Sequence, residues 1–390
     1  MRTSEKIMLK TSSSQSEEKA SRARPLIALA SGGRPVWTPR DYASLAREGY
    51  QKNVVAHRCV RLLAESAASV PLMAMEAGRR MSVHPLLDLI ERPNPEQTRA
   101  EFFEAVYGHL QTSGNAYIEA VSIDGEVREL YALRPDRMKA RLSDSGWPAA
   151  YDYTVGGRTV SFPVARGGET PSILHMRLFN PTDDHYGLSP LEAAAIAIDV
   201  HNATQSWNKA LLDNAARPSG ALVYSGPEGA AALSEDQFQR LKDQLEEMFQ
   251  GGANAGRPLL LDGGLDWRQM ALSPTDMDFI SAKNSAARDI ALAFGVPPML
   301  LGIPGDNTYS NYREANLAFW RHAVAPLAKK AAAALSKWLG AAFDGAALAC
   351  DLDEIDALSA ERDARWRRIA SAEFLTDAEK RRLLAIDGEV

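Results

Sequence analysis

Gly295-Val296-Pro297-Pro298-Met299-Leu300-Leu301-Gly302-Ile303-Pro304-Gly305-Asp306-Asn307-Thr308-Tyr309-Ser310-Asn311 separates two stretches whose apolar residues repeat at helical spacing. The first stretch predicts a helix from about Asp276 to Phe294. It stops at Gly295, which fits the left-handed cap position, and two prolines that cannot continue a helix. Pro304, Gly305, Asp306, Asn307, Thr308, Tyr309, Ser310 and Asn311 are read as one polar loop, rich in turn-forming residues. The second helix is expected to start near Asn311 and to carry Leu317, Phe319, Trp320, Val324, Leu327, Leu335, Trp338 and Leu339. Pro326 interrupts it, which predicts a kink. The loop is polar but flanked by Met299, Leu300, Leu301 and Ile303. It reads either as an ordinary surface loop between packed helices or as a loop projecting into a shared channel or cleft.

Outward from this stretch, the composition sets bounds. The 390 residues are 45% hydrophobic and 24% charged, enough for a sizeable core and two or three domains. A net charge of −6 argues against tight electrostatic wrapping of nucleic acid, which calls for a basic face. No apolar run approaches the roughly 18 residues of a membrane span, and neither signal peptide nor membrane anchor is expected. Cys59 and Cys350 sit among apolar neighbours and read as buried, reduced thiols of a cytosolic type.

Residues 1 to about 24 are Ser-rich and charged, and predict disorder; order is expected from Val36-Trp37. Thr38-Pro39 predicts a helix start, with Thr38 as cap. A helix from Asn53 is expected to bury Val54, Val55, Cys59, Leu62, Leu63 and Ala67, followed by a strand over 70–75. Thr98-Arg99-Ala100-Glu101 forms a capping box for a helix that closes at Gly114-Asn115. Hairpins are predicted around Asp124-Gly125 and Gly156-Gly157, and a further strand from Ser172 to Arg177. Strands that pair as neighbours in sequence make this an antiparallel α+β domain. Ser189-Pro190-Leu191-Glu192 opens a long Ala-rich helix, Gly220 to Tyr224 reads as a strand, and Ser234 caps a helix ending at Gly251-Gly252. Residues 251–275 read as a small insert with short strands at Leu259 to Leu261 and Trp267 to Leu272. A last strand is expected at Ala346 to Asp351, followed by a charged helical tail from Asp356 to Leu384.

The motifs of catalysis are missing: no Gly-rich phosphate loop, dinucleotide fingerprint or nucleophile elbow occurs, and no histidine or cysteine pair has metal-ligand spacing. No cofactor, metal or catalytic residue is assigned. Asp183-Asp184-His185 is the best polar cluster; it reads as a solvated turn, with a metal-dependent hydrolase as the rival function. Asp351-Leu352-Asp353-Glu354-Ile355-Asp356 lacks a calcium loop's ligand pattern and reads as a charged helix start.

Several stretches in order carry a family resemblance: His84-Pro85-Leu86-Leu87, Arg92-Pro93-Asn94-Pro95, Thr98 through Phe103 and Gly114-Asn115-Ala116-Tyr117-Ile118. They continue with Leu133-Arg134-Pro135-Asp136-Arg137, Tyr186-Gly187-Leu188-Ser189-Pro190-Leu191, Ala216-Arg217-Pro218-Ser219-Gly220, Ala255-Gly256-Arg257-Pro258-Leu259 and Ile290 through Leu301. Over roughly residues 36 to 345 the chain resembles the portal proteins of tailed phages, in the siphophage branch. A compact chain of this kind also suits a gene transfer agent or a prophage.

The resemblance implies an α+β portal fold and a ring of identical subunits, usually twelve, at one capsid vertex. DNA would pass along the axis, driven by a separate terminase motor. It implies a disordered arm (1–35), a wing (36–230) and paired stem helices (231–250 and 276–300) around a clip (251–275). Residues 301–312 would be the tunnel loop, 313–350 the long kinked wing helix and last strand, and 351–390 a small helical crown. The tunnel loop, Pro304 through Asn311, would meet DNA, with Asn307, Thr308 and Tyr309 offering neutral contacts. In the clip, Asn254, Arg257, Pro258, Asp262, Trp267 and Arg268 would meet large terminase and later the head-tail adaptor. The implied partners are further copies of the chain, double-stranded DNA, terminase, adaptor and major capsid protein, with no membrane. The implied place is a virion or phage-like particle assembled in the host cytoplasm. A non-conducting adaptor or scaffold protein is the remaining alternative.

Overall fold

The computed structural model describes residues 37–164, 170–213, 220–224, 265–269, 279–305 and 308–384, with four further positions between 236 and 243. The expected N-terminal arm lies outside these residues.

Helix α1 (Tyr42–Leu45) is capped by Asp41, whose carboxylate accepts from the Ser44 amide at 3.0 Å. The start expected at Thr38 is displaced because Thr38 is committed elsewhere: its amide, at 3.0 Å, and its hydroxyl both donate to Asp199. A π-helical turn (Ala46–Gln51) leads to α2 (Val54–Ala68), capped by Asn53. The buried face of α2 is Ala56, Cys59, Val60, Leu63, Ala64 and Ala67. Val54, expected inside, is 63% exposed, because it lies two residues before Ala56 and so on the opposite side of the helix from that face. After β1 (Leu72–Glu76), β2 (Arg79–Met81) and α3 (Pro85–Glu91) comes α4 (Arg99–Ser113), with both halves of the Thr98/Glu101 capping box formed. Phe102, Phe103, Val106, Tyr107 and Leu110 bury one side of α4, which packs along α2. Gly114 ends it at φ 74°, where only glycine is unstrained.

Strands β3 (Asn115–Ile123) and β4 (Glu126–Leu133) form the hairpin over Asp124-Gly125, and β8 (Ile173–Arg177) joins the other edge of β3. A second antiparallel sheet, β5 (Met138–Leu142), β6 (Pro148–Val155) and β7 (Arg158–Pro163), turns at Gly156-Gly157 as expected. Strand β5 is not among the expected strands, although Met138, Lys139, Ala140, Arg141 and Leu142 alternate apolar and charged as a half-buried strand does; Met138 and Ala140 are buried, and it pairs with β6. Tyr117, Leu133, Met138 and Ile173 form a small core between the two sheets.

Ser189 caps α5 (Pro190–Ala193), and α6 (Ala195–Asp213) follows after one break, so the expected long helix is divided. Strand β9 (Gly220–Tyr224) pairs antiparallel with β10 (Leu265–Gln269). The expected strand at 259–261 lies outside the described residues. After α7 (Phe279–Ala293), α8 (Tyr309–Phe319) passes through a π-helical turn (Trp320–Val324) into α9 (Ala325–Leu339). The interruption at Pro326 takes this form because its nitrogen cannot donate to the His322 carbonyl, and the chain widens over the preceding turn.

Strand β11 (Ala347–Cys350) pairs antiparallel with β1, Leu72 opposite Cys350, and Ser336 of α9 accepts from the Leu348 amide at 2.7 Å. Together α2, α4, α7, α9 and β11 enclose one continuous core. Both thiols are free; Cys59 is buried, which pushes its thiol up to about 12. The acidic run after β11 leads into helical structure where expected: Asp356 opens a 3₁₀ turn (Asp356–Leu358) that runs directly into the next helix. Asp351 is buried against Arg80 at 2.8 Å, and the helix proper, α10 (Ser359–Ala370), begins three residues beyond Asp356. A second tail helix, α11 (Asp377–Leu383), starts at a Thr376/Glu379 capping box. No helix among the described residues is long and apolar enough to cross a membrane.

Candidate functional site

Two helices and the segment beyond them form the most distinctive construction in the chain. Helix α7 packs against α6, Trp207 stacking on Phe279 with ring centroids 4.2 Å apart. His201, six residues before Trp207, is close enough to Lys283 to feel its charge. Later residues of α6 thus meet earlier residues of α7, and the helices run antiparallel. Beyond their shared end, β9 and β10 pair in antiparallel register. Everything between residues 213 and 279 therefore leaves and returns at one place. The helix that α7 packs along is α6; of the expected partner at 231–250, only Asp236, Gln239, Arg240 and Asp243 are described, all of them helical. This pairing is tertiary, which is why local sequence patterns did not reveal it.

The inner side of α6 is polar. Asn53, fully buried, donates from its side chain to His201 Nδ1 at 3.1 Å, taken as the acceptor, and to Asn202 Oδ1 at 2.9 Å, while its own Oδ1 caps α2. Asn202 donates to the Glu48 carbonyl at 2.9 Å. Burial first, then Lys283, lowers the pKa of His201 and keeps it neutral.

At the other end of α7, the turn Pro298–Leu301 closes on Gly302 at φ 70°, and Ile303 is buried. Pro304 and Gly305 are exposed, and the Arg288 guanidinium of α7 donates to the Pro304 carbonyl. Asp306 and Asn307 lie outside the described residues. Thr308 is the N-cap of α8, its hydroxyl accepting from the Asn311 amide at 3.3 Å. Tyr309, Ser310 and Asn311 thus belong to the first helical turn, and the expected eight-residue loop is shorter at its far end. That reassignment follows from Thr308, whose capping pattern was read as turn chemistry. Residues 310–314 are all exposed, so the start of α8 stands clear of its own subunit. Arg288 carried no motif and was missed.

Of the expected insert residues, Asn254, Arg257, Pro258 and Asp262 lie outside the described residues. Trp267 and Arg268 are on β10, opposite Leu222 and Ala221.

Asp183 serves a turn: its Oδ1 accepts from the amides of His185 at 2.7 Å and Tyr186 at 3.0 Å, which holds its carboxyl below the usual range. The Asp184 carbonyl accepts from Arg177. No group of His, Cys, Asp or Glu among the described residues is arranged to hold a metal ion. Beside this turn, His175 stacks on Tyr117 at 4.3 Å and bonds Asn115 Oδ1 at 2.9 Å. Burial, with Arg177 adding, drives its pKa down to about 4.

A family model described as phage portal protein matches residues 54–384. The portal protein of Enterobacteria phage HK97 is 26% identical over 292 residues, 72% of this chain and 66% of that protein. Among solved structures, the neck of an empty gene transfer agent particle, computed with sixfold symmetry, contains a chain 54% identical. The match covers 92% of this chain and 97% of that one, with a TM-score of 0.71. The neck of the native particle, computed with twelvefold symmetry, contains a chain 52% identical, with coverages of 90% and 95% and a TM-score of 0.68.

Proposed function

Because the chain belongs to the phage portal protein family, we propose that twelve copies close into a ring at one vertex of a phage-like capsid and that double-stranded DNA passes along its axis. The gene transfer agent necks favour that kind of particle, with assembly in the host cytoplasm before the head is filled. The observation that carries the reading is the antiparallel α6–α7 pair, with one long excursion at one end and an exposed segment at the other. We assign α6 and α7 to the stem. The clip then comprises residues 214–278, wider than the 251–275 expected from the sequence, and is where large terminase and the head-tail adaptor dock in turn. Gly302 to Thr308 and the exposed start of α8 face the DNA path, the sheets and α9 form the wing that meets capsid protein, and α10–α11 form the crown.

A conduit must hold DNA loosely, and the net charge of −6 supplies no basic sleeve to grip phosphate. Family membership makes the protein structural, so the work of packaging falls to a separate motor. The hydrolase alternative finds no support, since the Asp183 carboxylate is engaged by two backbone amides.

Native mass spectrometry and negative-stain microscopy test the proposal. The expected particle is a ring with an axial hole and a mass of about 510 kDa, twelve times 42.5 kDa. A compact monomer that stays monomeric with capsid or scaffold protein present would overturn it.

A further inference from the structure

Charge is spread unevenly along this chain. Between residues 315 and 343 there are four Lys or Arg residues, Arg321, Lys329, Lys330 and Lys337, and no carboxylate. Taking that +4 from the net −6 leaves −10 on the remainder. Three of the four lie on α9, and the fold turns them the same way. Helix α9 buries Ala328, Ala331, Ala332, Leu335 and Leu339 in the core. Pro326, Lys329, Lys330, Ala333 and Lys337 are exposed, and their spacing of three and four residues puts them on one side. The helix packs on β8, the Trp338 indole donating to the Pro171 carbonyl at 2.6 Å. At the far end of that strand, Arg177 is close enough to act on Lys330. Partial burial first, and then the Arg177 guanidinium, lower the pKa of this lysine. Cations crowded together on a helix without an acid hold a positive field that a counter-charge would relieve.

We propose that this side of α9, Lys329, Lys330 and Lys337 with Arg177 beside them, is a docking surface for the phosphate backbone of double-stranded DNA, outside the axial path and blind to sequence. The inference goes beyond the conduit reading, since the surface is complete in one subunit. DNA fits it better than a protein does. Protein interfaces are poor in lysine and centre on aromatic side chains, whereas here only Pro326 and Ala333 lie between the cations. Non-specific DNA binding is the neutralisation of phosphates by Lys and Arg, and lysine serves it as a point charge. Lys330 and Lys337 stand about 10 Å apart along the helix axis. Each strand of a duplex offers a phosphate about every 3.4 Å, so each lysine has one in reach. The acidic remainder does not cancel this surface, because salt screens charges beyond about 8–10 Å.

The test uses covalently closed circular DNA, which cannot thread the axial hole of a preformed ring, and gel-shift titration at about 50 mM salt. Wild-type protein should bind, and the complex should come apart as salt rises. Lys329→Gln, Lys330→Gln and Lys337→Gln combined should weaken binding by about tenfold or more. Arg128→Gln, Lys139→Gln and Arg158→Gln combined remove three exposed cations elsewhere and should change it by no more than about twofold. No binding by the wild type, or equal loss in both variants, would overturn the inference. Neither result touches the conduit reading, which stands on the mass and shape of the ring. A second readout needs no variant. Acetylation by an N-hydroxysuccinimide ester, read by peptide mass, should reach Lys329, Lys330 and Lys337 in the DNA-free protein and be blocked there by DNA. Lysines already shielded before DNA is added would overturn the proposal and assign this side of α9 to a protein contact.

Discussion

Gly114 and Gly187 meet backbone to backbone: a Cβ added at Gly114 would lie 2.5 Å from the Gly187 carbonyl oxygen, and one added at Gly187 would collide with the Gly114 carbonyl. The contact ties the end of α4 to the turn before α5, and the Leu178 amide donates to the Gly114 carbonyl at 2.8 Å beside it. Asn115 Oδ1 accepts from the Gly187 amide at 2.8 Å on the other side.

Gly187→Ala should therefore destabilise the subunit by at least about 2 kcal/mol, because no flexible side chain is there to yield. Urea unfolding of the unassembled subunit, followed by circular dichroism, measures it. An unchanged midpoint would mean that the two backbones have room to separate.

Acid should loosen the subunit through its buried histidines. His109 and His175 are both driven from 6.5 to about 4, mainly by burial. Between those values the unfolded chain binds protons that the folded chain refuses, so stability rises with pH across this window and is lost on acidification from 6.5 towards 4. Each site contributes on the order of 3 kcal/mol over the window. His175→Gln should flatten the pH dependence of the unfolding midpoint; an unchanged slope would show that His175 protonates freely in the fold.

Thr308→Ala should cost about 1 kcal/mol of local stability at the start of α8, and Thr308→Ser should restore it. Hydrogen exchange of the amides from Asn311 to Glu314 reads the difference. Equal exchange in both variants would show that the Thr308 hydroxyl does not hold the start of the helix.

Arg288→Ala should free the Pro304 carbonyl and speed proteolysis between Ile303 and Thr308, with rings still forming. In the proposed conduit the same change should slow DNA packaging. Unchanged cleavage would show that Ile303 and Thr308 hold the segment without Arg288.

Features set by neighbouring residues were legible in the sequence. The Thr98/Glu101 capping box, the Gly114 stop and the turns at Asp124-Gly125 and Gly156-Gly157 are local chemistry, and each forms where its residues predict. Features set at a distance were not. Thr38 resembles a cap, yet Asp199, far along the chain, claims it, and Asp41 caps in its place. Helix α7 finds α6 across a long excursion. At the candidate site the polar character of 304–311 was readable, but the division between loop and helix turned on which role Thr308 takes.

The pairing of β1 with β11 puts a clock on manufacture. Leu72 faces Cys350, and the core closes only when both strands are present. A ribosome adding roughly 5–20 residues per second needs about 14–56 s to cover the ~280 positions between them. Throughout that interval Leu72 to Met75 has no partner on its β11 edge. A growing chain cannot complete its core early, and neither can one broken off before Ala347. Rings assembled from closed subunits would exclude such fragments without any inspector, because a partial chain has no finished body to offer its neighbours.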